Sequence, residues 1–213
     1  MIHFFKNIFN KSVKDFNKQN NSNMKYLIVG LGNIGHEYNN TRHNIGFMIL
    51  DQLSSSANSC FEDKRYGSIS KFRLKNCELI LLKPSTYMNL SGNAVRYWLK
   101  KESILMDNML IICDDISLSL GKLRIRTSGS DGGHNGLKHI SAVLGTQQFN
   151  RLRFGIGNNY NPGEQVNYVL GKFFDQELLA IRPSIETAVE AVKSFCLRGI
   201  VATMNDFNKK KTE

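Results

Sequence analysis

Apolar residues in this 213-residue chain follow two rhythms. Short strand-like runs recur at Tyr26–Val29, Ser68–Phe72, Leu79–Leu82, Met109–Cys113, Lys122–Arg126 and Leu152–Ile156. The runs at 26–29, 79–82 and 109–113 are apolar at almost every position, which predicts central strands covered on both faces. The run at 122–126 alternates instead and sets Lys122, Arg124 and Arg126 on one face. A 3.6-residue repeat predicts helices over about 44–57, 91–101, 136–144 and 175–197. Ser91 reads as an N-cap, and Gly199 as the stop of the last helix. Strands and helices that partly alternate predict the α/β class, a single domain layered around one mixed β-sheet. In such sheets ligands gather beyond the carboxyl ends of the strands.

The compact domain is expected to span 24–207, because Met24 directly precedes the first strand. Residues 1–23 are rich in Asn, Lys and Phe, with Asp15 as their only acid. A flexible extension is the preferred reading; a short amphipathic helix and an organelle-targeting segment are the alternatives. Residues 208–213 read as a solvated tail.

Composition adds a partner class. A formal charge of +10 and a pI near 9.5 favour a polyanion. Cys60, Cys77, Cys113 and Cys196 are widely spaced and read as free thiols in a reducing compartment. No apolar run approaches the length of a membrane span.

The chemistry concentrates at predicted strand ends. After Val29 comes Gly30-Leu-Gly-Asn-Ile-Gly-His-Glu-Tyr-Asn-Asn-Thr-Arg-His-Asn-Ile-Gly46. It combines glycines for close backbone approach, amides, and His43, a side chain suited to proton transfer near neutrality. Its Gly30-x-Gly-x-x-Gly35 also matches a dinucleotide fingerprint. That match is a decoy, because the next helix starts only near Asn44 and would enclose Asp51, the would-be ribose acid. Further polar segments follow Leu82 (83–92), Cys113 (Asp114 and Asp115) and Arg126 (127–136).

These segments resemble bacterial-type peptidyl-tRNA hydrolase. The likeness is carried in family order by Val29-Gly-Leu-Gly-Asn-Ile-Gly35 with Tyr38, Thr41-Arg-His-Asn44, Lys83-Pro-Ser-Thr-Tyr-Met-Asn-Leu-Ser-Gly92, Asp114-Asp115, Gly132-Gly-His-Asn-Gly-Leu-Lys138, Arg151-Leu-Arg-Phe-Gly-Ile-Gly157 and Tyr168-Val-Leu-Gly171. It implies a mixed, twisted sheet flanked by helices. It also implies hydrolysis of the ester joining a peptide to the terminal ribose of tRNA. By the same resemblance His43 is the catalytic histidine, and Asp114 holds it in its base form. Asn33 senses the blocked amine, while Tyr38, Tyr87, Met88, Asn89 and Asn135 line the peptide and 3′-end site. Some positions depart from the family pattern: Ile34 and Ser119 replace prolines, Ser117 replaces an aspartate, and Tyr87 stands where many relatives have Phe.

The residues agree on a mechanism. No Ser or Cys occupies a GxSxG elbow, and no His/Cys/Asp set has zinc-ligand spacing. Water attack with His43 as general base is therefore expected, with no cofactor and no metal. Asn89, or backbone N–H groups of the glycine loops, would serve the oxyanion. Lys122, Arg124, Arg126, Lys138, Arg151 and Arg153 are candidates for tRNA phosphates, and by resemblance Arg126 and Arg153 would take a terminal phosphate. His134 and His139 are expected to orient loops or face solvent. The expected protein is a cytoplasmic monomer acting on peptidyl-tRNA away from membranes. The rivals are a non-catalytic RNA-binding protein on the same scaffold and a nicotinamide-dependent oxidoreductase.

Overall fold

The computed structural model describes residues 24–208. The expectations for 1–23 and for 209–213 lie outside the described residues. Seven strands form one sheet: β1 (Met24–Gly30), β2 (Glu62–Lys64), β3 (Gly67–Leu74), β4 (Cys77–Pro84), β5 (Met109–Asp115), β6 (Leu123–Arg126) and β7 (Asn150–Gly155). Their order is β2-β3-β4-β1-β5-β7-β6. The central pairings β4–β1, β1–β5 and β5–β7 are parallel, and the outer pairings β2–β3, β3–β4 and β6–β7 are antiparallel. The sheet is mixed, as its sequence pattern predicts.

Alternate residues of the central strands feed two cores. Tyr26 and Ile28 of β1 and Leu110 and Ile112 of β5 pack under α1 (Ile45–Ser56) and α5 (Asp175–Phe207). Leu27 and Val29, with Met109, Ile111 and Cys113, pack under α2 (Ser91–Glu102) and α3 (Asn135–Leu144). This double burial explains why these strands read as continuous apolar runs. A short helix, α4 (Gln165–Leu170), has no residue fully buried, and only Tyr168 and Val169 pack, partly buried, against the first core.

Two elements have no counterpart in the sequence reading, and expectations at Ser91, Gly199 and Asn208 are corrected. Strand β2 is three exposed residues, and α4 is a six-residue helix; neither is long enough to show a period. Ser91 is the first residue of α2, not its N-cap, which is Leu90. The Ser91 hydroxyl instead donates to the Met88 carbonyl at 2.9 Å. At Gly199 the backbone leaves helical geometry (φ 79°, ψ 170°), as a stop should, but helix resumes beyond it to Phe207. Asn208 is no free tail residue. Its side-chain amide accepts from Ile125 N at 2.8 Å and donates to Ile125 O at 3.0 Å, pairing the exposed edge of β6.

Candidate active site

Strand β1 delivers the chain to the site at Gly30. A Cβ on Gly30 would fall on the Gly46 carbonyl, and one on Gly46 would meet the backbone of Leu31 and the Ile112 carbonyl. Bare backbone at both positions lets the start of α1 sit against the ends of β1 and β5. These glycines serve packing rather than a pyrophosphate. Gly35 leads into a 3₁₀ turn, His36–Tyr38, and Asp51 lies within α1, paired with Lys83 Nζ at 2.6 Å. The dinucleotide reading therefore lacks both its helix and its acid.

The same close approach brings three side chains together. Asn44 clamps the glycine loop to the turn Arg42–Asn44: its Oδ1 accepts from Asn33 N at 2.8 Å, and its Nδ2 donates to Asn33 O at 2.9 Å. His43, in that turn, faces Asp114 at the end of β5, with Nδ1 to Oδ1 at 2.9 Å. Asn33 turns its Oδ1 to the Met88 N–H at 2.8 Å. That bond occupies the acceptor and leaves the two N–H donors of Asn33 for the cleft.

A second imidazole completes the arrangement. His134 Nε2 lies 3.0 Å from the same Asp114 oxygen. Its Nδ1 accepts from Gly136 N at 3.1 Å and Leu137 N at 3.3 Å, capping α3. An Nδ1 that accepts leaves the proton on Nε2, so His134 donates to Asp114. His43 then donates from Nδ1 to the same carboxylate, and its Nε2 lone pair is free. His134, expected only to orient a loop or face solvent, both caps its helix and touches the acid. The signal for it is a histidine at an N-cap position after a glycine-rich loop. His139 accepts from Gly92 N at 3.0 Å and so ties α3 to the start of α2.

Electrostatics follow from this contact. Burial works against a charge on Asp114, but the two imidazoles outweigh it and hold its carboxyl well below the usual carboxylate range. Burial likewise disfavours an imidazolium at His43, yet the charge of Asp114 and its hydrogen bond raise the His43 pKa above 6.5. The three groups are close enough to be considered as metal ligands. The donor set does not fit, because His134 Nε2 and His43 Nδ1 carry the protons of the Asp114 hydrogen bonds.

Around this centre opens a cleft of ≈ 660 Å³. Its walls include Asn33, His43, Tyr87, Met88, Asn89, Asp114, Asn135, Arg126 and Arg153, with one side formed by Gln165, Val166, Val169 and Leu170 of α4. Tyr87, Asn89 and Asn135 are exposed at its mouth, and Met88 is buried. Tyr38 is half-buried in its own turn, outside the cleft lining. Lys122, Arg124 and Lys138 also lie outside the lining. Leu123 and Ile125 enter the core, while Lys122 and Arg126 are exposed and Arg124 half-buried. Lys122 itself precedes β6.

Arg151 and Arg153 separate. Arg151 is 1% exposed and donates to the carbonyls of Ser130 (3.0 Å) and Gln147 (2.9 Å) while stacked on Phe149. That geometry corrects its reading as a phosphate contact. Arg153 is partly exposed and bonds Asp115 and, at 3.1 Å, Ser117 Oγ. Ser117 also donates to Asp115 from its hydroxyl at 2.6 Å and its backbone N at 2.8 Å. The serine in the family's aspartate position thus supports Asp115 and Arg153, whereas Asp114 is held by the two imidazoles.

Comparison with known proteins gives the kinship of the chain. The family profile described as Peptidyl-tRNA hydrolase matches residues 27–213. The chain belongs to the peptidyl-tRNA hydrolase family. A peptidyl-tRNA hydrolase of Phocaeicola vulgatus is 59% identical over 187 residues, covering 88% of this chain and all of the relative. One from Thermotoga maritima is 44% identical over 182 residues, covering 85% of this chain and 96% of the relative. The crystal structure of the Acinetobacter baumannii peptidyl-tRNA hydrolase superposes with a TM-score of 0.82 at 35% identity, covering 89% of this chain and 97% of that one. The family's mixed sheet and helical layers are those described above.

Proposed function

We propose that the protein hydrolyses peptidyl-tRNA at the ester of the terminal ribose, with His43 drawing a proton from the attacking water. The carrying observation is the His43 Nδ1–Asp114 Oδ1 contact of 2.9 Å. It leaves Nε2 as the free base, on a side chain still 11% exposed toward the cleft. Water positioned between Nε2 and the ester carbonyl transfers its proton to Nε2 as its oxygen attacks, and Asp114 stabilises the imidazolium that forms. The imidazolium then returns the proton to the leaving ribose oxygen. Peptide acid and free tRNA are the products.

Neutral amides suit the rest of the task. Asn33 offers only donors to the cleft, so it can hold a carbonyl of the blocked substrate or the developing oxyanion. A free α-ammonium there would meet donors and no acceptor, which disfavours aminoacyl-tRNA. Asn89 and Asn135 add adaptable contacts at the mouth for the peptide and the 3′ end, with Tyr87 and Met88 beside them. Arg126, Arg151 and Arg153 line the cleft; Arg151 is committed to the Ser130 and Gln147 carbonyls, so Arg126 and Arg153 would take phosphate there, and Lys122, Arg124 and Lys138 would follow the tRNA body outside it. Tyr38 would act only at the approach to the site.

The domain, 24–207, would act as a monomer in the cytoplasm. Among the described residues no helix is long and apolar enough to cross a membrane.

The test is hydrolysis of N-acetyl-aminoacyl-tRNA. Wild type should release free tRNA, and His43→Ala should lose about 10²–10⁴-fold in rate while binding tRNA equally well. Equal rates for the two proteins would remove the histidine mechanism. Binding without turnover in wild type would favour the non-catalytic RNA-binding alternative.

A further inference from the structure

Arg42 is buried, next in sequence to His43, and has no part in the chemistry above. Its guanidinium spans from the catalytic turn to the far wall of the cleft. Nη1 donates to the carbonyls of Lys172 (2.9 Å) and Gly171 (3.4 Å), and Nη2 pairs with Glu177 Oε2 at 2.7 Å. The group lies over the ring of Tyr168, 4.4 Å from its centroid, with Phe173 at 5.3 Å and Phe174 at 5.6 Å. Glu177 in turn accepts from Phe174 N at 2.8 Å and caps α5. The backbone repeats the connection: Arg42 N donates to Gly171 O at 3.0 Å, Phe173 N donates to Asn40 O at 3.0 Å, and Thr41 bridges Lys172.

The element at the other end is α4. It presents Gln165, Val166, Val169 and Leu170 to the cleft. Burial alone cannot hold it, since it is six residues long with none fully buried. Beside the partly buried packing of Tyr168 and Val169 on the first core, two fastenings are visible. The Tyr168 hydroxyl donates to Ile156 O at 2.6 Å, and the Tyr168 ring packs under Arg42. Nε of Arg42 is buried without a partner among the described residues, so its side chain connects through the two terminal nitrogens and the aromatic contacts.

We infer that Arg42 is a positioning residue that fixes the α4 wall of the substrate cleft to the turn bearing His43, so that the grip on substrate depends on this side chain. The inference rests on the proposed hydrolase reading for its kinetic consequence, but its structural consequence does not. Arg42 is not part of the cleft lining. Its effect runs through α4 to the binding of the acylated 3′ end.

The test compares Arg42→Lys, Arg42→Gln, Glu177→Gln and the Arg42→Gln/Glu177→Gln double variant in the full chain. Hydrogen exchange without substrate is the first arm. Amides of 165–173 should exchange on the order of tenfold faster in Arg42→Gln, matching the removal of one charge-assisted bond, while β1 and β5 stay protected. Arg42→Lys keeps the charge without the fork and should fall between wild type and Arg42→Gln. Turnover of N-acetyl-aminoacyl-tRNA is the second arm. KM should rise on the order of tenfold, with a smaller fall in kcat and an unmoved acid limb of the pH profile, because His43 and Asp114 are untouched. The double variant should be no worse than Arg42→Gln alone, as expected for one shared network. Unchanged exchange at 165–173, or additive effects of the two changes, would overturn the inference. So would kcat and thermal stability falling together at constant KM. If wild type proves inactive, the hydrolase reading fails, and the exchange arm still decides the structural link.

Discussion

At the scale of single residues the decisive feature is one carboxylate oxygen shared by two imidazoles. It fixes the direction of the pH dependence. His43 is active as a base only when neutral, and Asp114 raises its pKa above 6.5. Activity should therefore rise with pH through a value above 6.5. Asp114→Asn removes both raising influences and leaves burial, which lowers the pKa. The acid limb should move to lower pH even as the plateau falls, since an amide presents its oxygen less strongly and lacks the charge that steadies the imidazolium. A kcat/KM profile for both proteins checks this; a limb that stays in place would mean that another group titrates. Asn33 allows a second test. Asn33→Asp keeps an acceptor for Met88 N but turns an oxygen toward the cleft in place of the donors. Discrimination against aminoacyl-tRNA should weaken, so the ratio of N-blocked to free-amine hydrolysis should drop, and an unchanged ratio would remove Asn33 from substrate selection.

At the scale of elements, what is legible in the sequence is whatever carries a period or a compact motif. The central strands show through because both faces are buried, and α1, α2, α3 and α5 through their apolar repeat. The pairing of His43 with Asp114 is reachable only by resemblance, since they are 71 positions apart and meet through the β1–β5 register. Elements β2 and α4 are not legible: each is short and held by contacts from elsewhere, β2 by β3, α4 by Arg42 and Tyr168. The separation of Arg151 from Arg153 is hidden for a related reason. On a strand they share a face, so only the loops above decide which is covered. Glycines at a strand end suggest ligand approach, but Gly30 and Gly46 mark instead where a helix meets that strand. This yields a test of packing. A Cβ at Gly46 would meet rigid backbone at Leu31 and Ile112, so Gly46→Ala should cost at least about 1–3 kcal/mol and displace His43. A lowered melting temperature with reduced kcat is expected, checked by a thermal melt beside the turnover assay.

At the scale of the whole molecule, the charge of +10 has to be placed before it explains anything. Strand β6 is the sheet's outer edge beside β7, and their register sets Arg124 opposite Arg153 and Arg126 opposite Arg151. One face of that edge thus carries Lys122, Arg124 and Arg126 toward the rim where Arg153 opens into the cleft. A polyanion whose 3′ end enters the cleft would run along this edge. Removing a cation that touches phosphate should flatten the dependence of log K on log salt by roughly 0.7–0.9 for each phosphate no longer neutralised. Arg126→Ala should therefore weaken tRNA binding at low salt and little at high salt. Arg151 supplies the contrast within the same sheet. Its guanidinium is spent on the carbonyls of Ser130 and Gln147, so Arg151→Ala should lower stability by about 2 kcal/mol or more and leave the salt slope unchanged. Binding of deacylated tRNA titrated from low to high salt, beside a thermal melt of each variant, separates the two outcomes. An Arg126 variant with the wild-type slope would mean that the phosphates run elsewhere, and the excess positive charge would then have to be sought away from the β6 edge.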